Sequence, residues 1–376
     1  MNYILCLLLN MSKESKVVSY EFLEQQVQSM LSKVKELESG VVKGYDFNKG
    51  VNYEEIFKSY ATTGFQATHL AQAIEIVNSM ISWRLSDEPL NERDDEETSD
   101  PVYRANKRCT IYLGYTSNMV SCGMREIIRY LAQHKMIDCI VTTAGGIEED
   151  LMKCMGTFHL GEFNMNDIEN RLNGHCRIGN ILVANDNYIK LESFLLPLFA
   201  KMAKEQVKEG IKWTPSKVIR RFGKEINNEE SIYYWAYKND IPVFCPAITD
   251  GGIGDVLFTN SYKNDLVIDV IEDIKELAKI AIRSPKTGAI IMGGGIPKHH
   301  ILNSNIWKNG LDYAVYMNTG LYEDGSDSGA KASEGYTWAK LRIDAKYAKI
   351  FTEATLVFPI LVAETFAKRE KEAKKV

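Results

Sequence analysis

The chain has 376 residues, 45% of them hydrophobic and 25% charged, which excludes global disorder and supplies core for one large α/β domain or two modest ones. Its formal net charge of -5 lacks the basic excess of a general nucleic-acid binder. Seven cysteines, at 6, 109, 122, 139, 154, 176 and 245, include no Cys-x-x-Cys, so they read as reduced thiols of a cytosolic protein and give zinc no ligand spacing.

Residues 3–9 are apolar but lack a basic n-region, so they read as a poor signal peptide, with Met11 as a candidate start. No run approaches the ~18 apolar residues of a membrane span. Residues 19–37 predict an amphipathic helix capped by Ser19, with Phe22, Val27, Met30, Leu31 and Val34 near helical spacing. A second helix is predicted over 67–85, with Leu70, Ile74, Val77 and Ile81 on one stripe. Residues 86–101 are mostly charged, include Asp94-Asp95-Glu96-Glu97, and read as a solvated linker.

From Cys109 the pattern changes. Short apolar runs at 109–113, 139–143, 180–184, 242–245, 266–270, 289–292 and 313–317 predict strands. Helical stretches at 193–209, 216–223, 229–238 and 271–283 lie between them. The alternation implies an α/β fold, a Rossmann-like parallel sheet with helices on both faces, behind an N-terminal helical extension. The expected division is 1–105 for the extension and acidic linker, 106–368 for the α/β domain and 369–376 for a charged tail.

In such a sheet ligands bind beyond the carboxyl ends of the strands. Five predicted strand ends carry glycine: Gly114-Tyr115-Thr116-Ser117-Asn118, Ala144-Gly145-Gly146, Asp250-Gly251-Gly252-Ile253-Gly254-Asp255, Gly293-Gly294-Gly295 and Asn318-Thr319-Gly320. Glycine there lets backbone N–H groups approach a phosphate, which favours a nucleotide, although no full G-x-G-x-x-G opens a helix. Glu148, Glu149, Asp250, Asp255, Asp324 and Asp327 are expected to crowd one rim. Like charges destabilise an empty site, so the rim calls for a cation, either an organic amine or magnesium held by oxygens. Trp338 could face an amine through its ring. Lys340, two residues on, is either a surface cation or a desolvated nucleophile that attacks an imine carbon. His299 and His300 titrate in the range of acid–base work, or are structural.

At these residues the chain resembles deoxyhypusine synthase. The resemblance rests on Lys43-Gly44-Tyr45-Asp46-Phe47-Asn48, Thr62-Thr63-Gly64-Phe65-Gln66-Ala67, Thr116-Ser117-Asn118 and Thr142-Thr143-Ala144-Gly145-Gly146. It continues through Gly293-Gly294-Gly295 with Lys298-His299-His300, Gly325-Ser326-Asp327-Ser328-Gly329-Ala330, Trp338-Ala339-Lys340 and the closing run 356–367. It spans about residues 40 to 368, in order.

The resemblance implies an NAD-dependent transfer in 106–368, cytoplasmic and without a metal. NAD takes a hydride from the carbon beside the secondary amine of spermidine, and Lys340 captures the butylimine as 1,3-diaminopropane leaves. A lysine of the translation initiation factor 5A precursor then displaces Lys340, and the hydride returns. Carried over motif by motif, NAD would lie against Ser117, Asn118, Met119, Val120 and Ser121, then Thr143, Ala144, Gly145 and Glu149. Its remaining contacts would be Asp250, Gly294, Thr319, Gly320, Glu353 and Ala354. Spermidine would lie against Glu148, Glu149, Asp255, His299, Gly325, Ser326 and Asp327, and along Glu334, Gly335, Tyr336, Thr337, Trp338, Ala339 and Lys340. His299 is the implied proton acceptor. The resemblance also implies a homotetramer, a dimer of dimers with sites at subunit interfaces, in which an N-terminal helix caps a site entrance.

Three departures stand out: Glu353 where the family has aspartate, Gly320 for alanine and Gly252 for serine. Homospermidine synthase, with putrescine as acceptor, shares the chemistry and stays open. A regulatory paralogue would lack the nucleophile, which is present as Lys340. A plain oxidoreductase or binding module on the same fold is the remaining alternative.

Overall fold

The structure is a computed structural model that describes residues 38–92 and 95–373, together with 21, 22, 25 and 27. It divides into two compact units, Met1–Lys43 and Gly44–Val376. In the first, residues 21, 22, 25 and 27 are helical; the rest of the helix predicted over 19–37, with Ser19, Met30, Leu31 and Val34, lies outside the described residues.

The described residues of the second unit hold nine strands: β1 (Thr110–Tyr115), β2 (Cys139–Thr142), β3 (Phe158–Leu160), β4 (His175–Ile178), β5 (Ile181–Ala184), β6 (Val243–Phe244), β7 (Thr287–Met292), β8 (Leu311–Asn318) and β9 (Leu341–Phe351). Six form one sheet in the order β6-β2-β1-β7-β8-β9, and every pairing in it is parallel. Counted along the chain, that order is third, second, first, fourth, fifth, sixth, the strand order of dinucleotide-binding sheets. The chain therefore reverses its winding between β1 and β7, and the crevice at that point is where such sheets take their ligands.

Both faces of the sheet are covered because alternate strand residues on both sides are apolar. Ile111, Leu113 and Tyr115 join one core, with Ile290, Met292, Val315, Met317 and Ile350. Tyr112, Val141, Ala289, Ile291, Ala314 and Tyr316 join the other. The helix Phe65–Ser82 brings Leu70, Ala73, Val77 and Met80 to the first core. The helices Val270–Ile282 and Gly295–Asn305 bring Leu277, Ile301 and Leu302 to the second.

Several local expectations need correction. The run predicted as a strand over 180–184 is β5, which belongs to a separate antiparallel sheet of order β3-β5-β4. Residues 266–270 form no strand; Ile268 makes an isolated bridge to Trp213. β9 was not expected, because Leu341–Phe351 mixes charged and apolar residues as an edge strand does. The acidic stretch after the second helix is not a plain solvated linker. Glu88 accepts hydrogen bonds from Lys286 Nζ (2.8 Å) and Trp83 Nε1 (2.9 Å), and the Lys286 ammonium holds its carboxyl below the usual range. The six described cysteines are free thiols, with Cys109, Cys139 and Cys245 buried.

Candidate active site

Because the six strands are parallel, the loops after them converge on one edge. Those after β1 and β2 are joined where Ser117 N donates to Thr143 Oγ1 at 3.1 Å. Those after β7 and β8 are joined where Asn318 Nδ2 donates to Gly293 O at 3.3 Å and Gly295 N donates to Ser328 Oγ at 3.0 Å. Glycine is required at two of these approaches. Gly293 has φ of 83° and a methyl group on it would come within 2.6 Å of Thr116 Oγ1. A methyl group on Gly145 would come within 2.8 Å of Ser117 Cβ. The missed strand β9 ends on the same edge, so Glu353 and Ala354 belong to a sixth loop there. The Glu353 carboxylate caps the helix Ala354–Val362, accepting from Thr355 N at 3.1 Å.

The helix Ala144–Met155 starts directly after β2 and carries consecutive acids. Glu148 and Glu149 are buried, and Glu148 Oε2 accepts from Ile253 N (2.8 Å) at the start of the helix Gly252–Ser261. Burial pushes the Glu148 carboxyl up, and the charges of Asp255 and Asp250 push it further. Glu149 takes a short hydrogen bond from the Ser121 hydroxyl, on the turn of helix Asn118–Ser121 that also buries Met119 and Val120. Burial, with Glu148 adding to it, raises the Glu149 carboxyl to about 7. Tyr188 was not anticipated. Its hydroxyl is pushed up to about 12 by burial, with Cys176 and then Glu148 and Glu149 adding to it. It stands within the long helix Asn185–Glu209, far from any glycine loop, and no local signal marks it.

Asp150 differs from its neighbours. It is fully buried and bonds Arg125 Nε (2.7 Å), Ser231 Oγ (2.5 Å) and Ile232 N (3.1 Å), so it is a structural anchor.

A second group forms beyond β7 and β8. His299 Nδ1 lies 3.3 Å from Asp327 Oδ1, while Asp327 Oδ2 is buried without a partner. The Lys298 ammonium donates to the Asp327 carbonyl and lies 5.6 Å from the Tyr316 ring centroid. Lys349 Nζ donates to Gly329 O (2.5 Å) and Gly320 O (3.3 Å). Two half-buried to buried lysines thus hold the loop that carries Thr319, Gly325, Ser326 and Asp327, and burial lowers the pKa of each. Neither was expected to have this role; only its neighbour His299 made Lys298 visible.

Lys340 closes this group. A short helix, Glu334–Thr337, ends at Trp338, and Ala339 has φ of 52°, a left-handed conformation costly for alanine. Lys340 N then donates to Gly335 O (2.8 Å), and Leu311 N donates to Lys340 O (3.0 Å), which starts β9. The turn buries Lys340 to 9% exposure, leaves Trp338 66% exposed and sets Lys340 Nζ 5.6 Å from the indole centroid. Thr337 Oγ1 donates to Glu334 O (2.8 Å), Tyr336 packs edge-on to Tyr347, and Glu334 accepts from Lys331 N (3.2 Å). Asp327, Glu334, His299, Gly325, Trp338 and Lys340 share a cavity of about 290 Å³. His300 does not face it; burial and the neighbouring His299 lower its pKa to about 4.

Of the six expected carboxylates, only Asp327 lines the cavity at Lys340. Glu148, Glu149, Asp250 and Asp255 form one group, and Asp327 belongs to the other. Asp324 is exposed and accepts from Ser326 N in its own loop (2.7 Å).

The raised Glu149 carboxyl has a measurable consequence. Its folded pKa exceeds the unfolded value, so it contributes stability that is complete below about 4.5 and lost as pH rises through about 7. Thermal midpoints of the ligand-free protein should fall over that window, and Glu149→Gln should flatten the slope. Equal slopes for the two proteins would place the carboxylate in water.

The family model for deoxyhypusine synthase matches residues 55–365. A deoxyhypusine synthase of Senecio vernalis is 54% identical over 336 residues, 88% of this chain and 91% of its own. Homospermidine synthase 2 of the same plant is 49% identical over 340 residues, 89% of this chain and 91% of its own. A crystal structure assigned as a deoxyhypusine synthase of Entamoeba histolytica superposes with a TM-score of 0.62 at 36% identity, covering 87% of this chain and 97% of its own.

Proposed function

The chain belongs to the deoxyhypusine synthase family, and from that membership we propose that it transfers the 4-aminobutyl group of spermidine to one lysine of the translation initiation factor 5A precursor, in the cytoplasm. The observation that carries the reading is the environment of Lys340. It is a buried amine beside the Trp338 ring, on a cavity where Asp327 Oδ2 has no partner.

The sheet edge suits NAD. The strand order matches that of dinucleotide-binding sheets, and Gly145 and Gly293 keep side chains out of the approaches to Ser117 and Thr116. Ser117 to Ser121, Thr143 to Gly145, Glu149, Asp250, Gly294, Thr319, Gly320, Glu353 and Ala354 would hold it. When bound, NAD supplies a hydride acceptor and later returns the hydride. Glu353 keeps a carboxylate where the family has aspartate, at a position that already caps a helix.

The chain's own residues supply the rest. Asp327 and Glu334 attract the cationic ends of spermidine, and Trp338 offers its ring face. His299, oriented by Asp327, takes the proton of the secondary amine. The Lys340 amine adds to the imine carbon, 1,3-diaminopropane leaves, and the butylimine stays on Lys340. The acceptor lysine then displaces Lys340.

Glu148, Glu149 and Asp255 are not among the described residues that line the Lys340 cavity, which supports a site completed by a second copy, in a homotetramer of two dimers. Light scattering should give about four times the monomer mass. Asp255→Asn should weaken spermidine about 10-fold or more, a loss on the order of 1.5–3 kcal/mol, while NAD binding changes little. Equal losses of both ligands would indicate misfolding. The function itself is tested by supplying labelled spermidine and NAD with either the factor 5A precursor or putrescine. Label is expected on the protein lysine; label in putrescine alone would make homospermidine synthesis the activity.

A further inference from the structure

A cavity of about 270 Å³ lies at the edge of the sheet opposite the glycine loops, where β1 and β2 begin. None of its lining residues has a part in the function proposed above. Met80, Cys109, Ile111 and Phe366 give it a buried apolar floor. Its charged groups are three cations, Arg108, Lys135 and Arg369, against two carboxylates, Asp138 and Glu370. Both carboxylates are engaged within the fold. Asp138 Oδ2 accepts from Ile111 N at 2.8 Å, and Asp138 Oδ1 lies 4.0 Å from Arg108 Nη2. Glu370 accepts a short hydrogen bond from the Tyr130 hydroxyl and lies 3.3 Å from His134 Nδ1. Arg369 has only neutral acceptors. Its Nε donates to Asn78 Oδ1 (3.0 Å), and its Nη2 donates to Asn78 O (3.0 Å) and Ser82 Oγ (2.8 Å). Among the described residues Arg369 makes no ion pair and its Nη1 has no acceptor. Burial lowers the Arg369 pKa, Glu372 opposes that shift, and the Arg84 charge adds to it.

We propose that this cavity is an effector site for a small carboxylate on a short apolar body. The empty cavity leaves a half-buried guanidinium without a close counter-charge, which is costly, and an entering carboxylate supplies one. The head group pairs with Arg369 and Lys135, and the body lies on Met80, Ile111 and Phe366. The volume is just under the roughly 300–1,000 Å³ of drug-sized sites, so the body is small. A cationic ligand such as a polyamine would meet the surplus positive charge and be repelled.

Two helices connect this cavity to the candidate active site. The helix Phe65–Ser82 brings Asn78, Met80 and Ser82 to the cavity. Near its other end Gln66 Oε1 accepts from Phe351 N, at the close of β9, at 2.7 Å. The second connection is a continuous rod. The helix Ala354–Val362 passes through a π turn, Ala363–Ala367, into the helix Lys368–Ala373, a length of roughly 30 Å. Such π turns mark functional helices. Glu353 caps the start of the rod, at the rim assigned above to NAD, and Arg369 stands near its end. A carboxylate that holds Arg369 against Lys135 fixes the end of the rod and the helix Phe65–Ser82 together. Both helices then hold the Glu353 loop in place, so the anion and NAD tighten each other's binding.

Calorimetric titration of the full chain with benzoate and with benzamide, its neutral analogue, tests the site. Benzoate should bind saturably and about 10-fold or more tighter than benzamide. Lys135→Gln changes an exposed side chain, and Arg369→Gln keeps an amide for Asn78. Each should weaken benzoate about 5-fold or more and leave benzamide unchanged. Saturating benzoate should tighten NAD about 3-fold or more in wild type and not in Lys135→Gln. Equal affinities for benzoate and benzamide, or benzoate bound by both variants as by wild type, would overturn the site. Benzoate bound with no change in NAD affinity would overturn its role as an effector site. Benzoate binding is independent of the function proposed above, whereas the NAD response rests on it. Wild type that binds benzoate but never NAD would sink that cofactor reading and the effector role, and leave the anion site standing.

Discussion

Lys340→Arg is expected to leave a folded protein that binds NAD and much of its spermidine but transfers nothing measurable to the acceptor lysine. The step needs a nitrogen lone pair at the imine carbon. A guanidinium stays protonated at neutral pH and cannot supply one, although it keeps the positive charge. Borohydride should trap no butyl group on the variant, and transfer should drop by orders of magnitude. In the proposed sequence proton removal by His299 comes before Lys340 acts, so some NADH fluorescence with spermidine should survive. A lysine 66% exposed, as Trp338 is, could be dismissed as a solvated cation; Lys340 is exposed only to 9%, beside that ring. Wild-type transfer rates, or trapped label on Lys298 instead, would remove Lys340 from the mechanism.

Asp150→Ala is expected to cost about 3–5 kcal/mol of stability, because it strands the buried Arg125 guanidinium without its main counter-ion. The loss extends to the helix Ile232–Lys238. Ser231 Oγ caps that helix by accepting from Tyr233 N and Tyr234 N at 3.1 Å each, and it is held by Asp150 Oδ2 at 2.5 Å. The urea midpoint of the variant should fall sharply. Glu149→Gln, one residue away, should cost nothing at neutral pH or raise stability, since it removes a buried carboxyl already titrating near 7. A loss below about 1 kcal/mol for Asp150→Ala would mean that Arg125 is satisfied by Glu126, 3.6 Å away.

Much of the site could be read locally. The buried strands β1, β2, β7 and β8 are short apolar runs because both faces of a parallel sheet are covered; a glycine follows β2, β7 and β8 closely, whereas Gly114, expected after the first strand, lies inside β1. The motif around Trp338 and Lys340 is contiguous, so the proposed nucleophile and its aromatic neighbour needed no folding to be paired. β9 escaped notice because Arg342, Asp344, Lys346 and Lys349 leave this edge strand no continuous apolar run. That omission also hid why Glu353 stands at the same edge as the glycine loops.

What the sequence by itself determined was the inventory: parallel strands, glycine-rich ends, a lysine beside a tryptophan, and a set of acids. Only the tertiary structure decided how the acids divide. Successive residues on a helix point about 100° apart, so Glu149 and Asp150 were bound to diverge, but nothing local says which side meets Ser121 and which meets Arg125. Strand order is set by pairing between segments more than a hundred residues apart, as when β1 takes β7 for its neighbour. That pairing puts the loops after β1 and β2 on one side of the crevice and those after β7 and β8 on the other. Which acids line the cavity at Lys340 therefore follows the sheet and not the sequence.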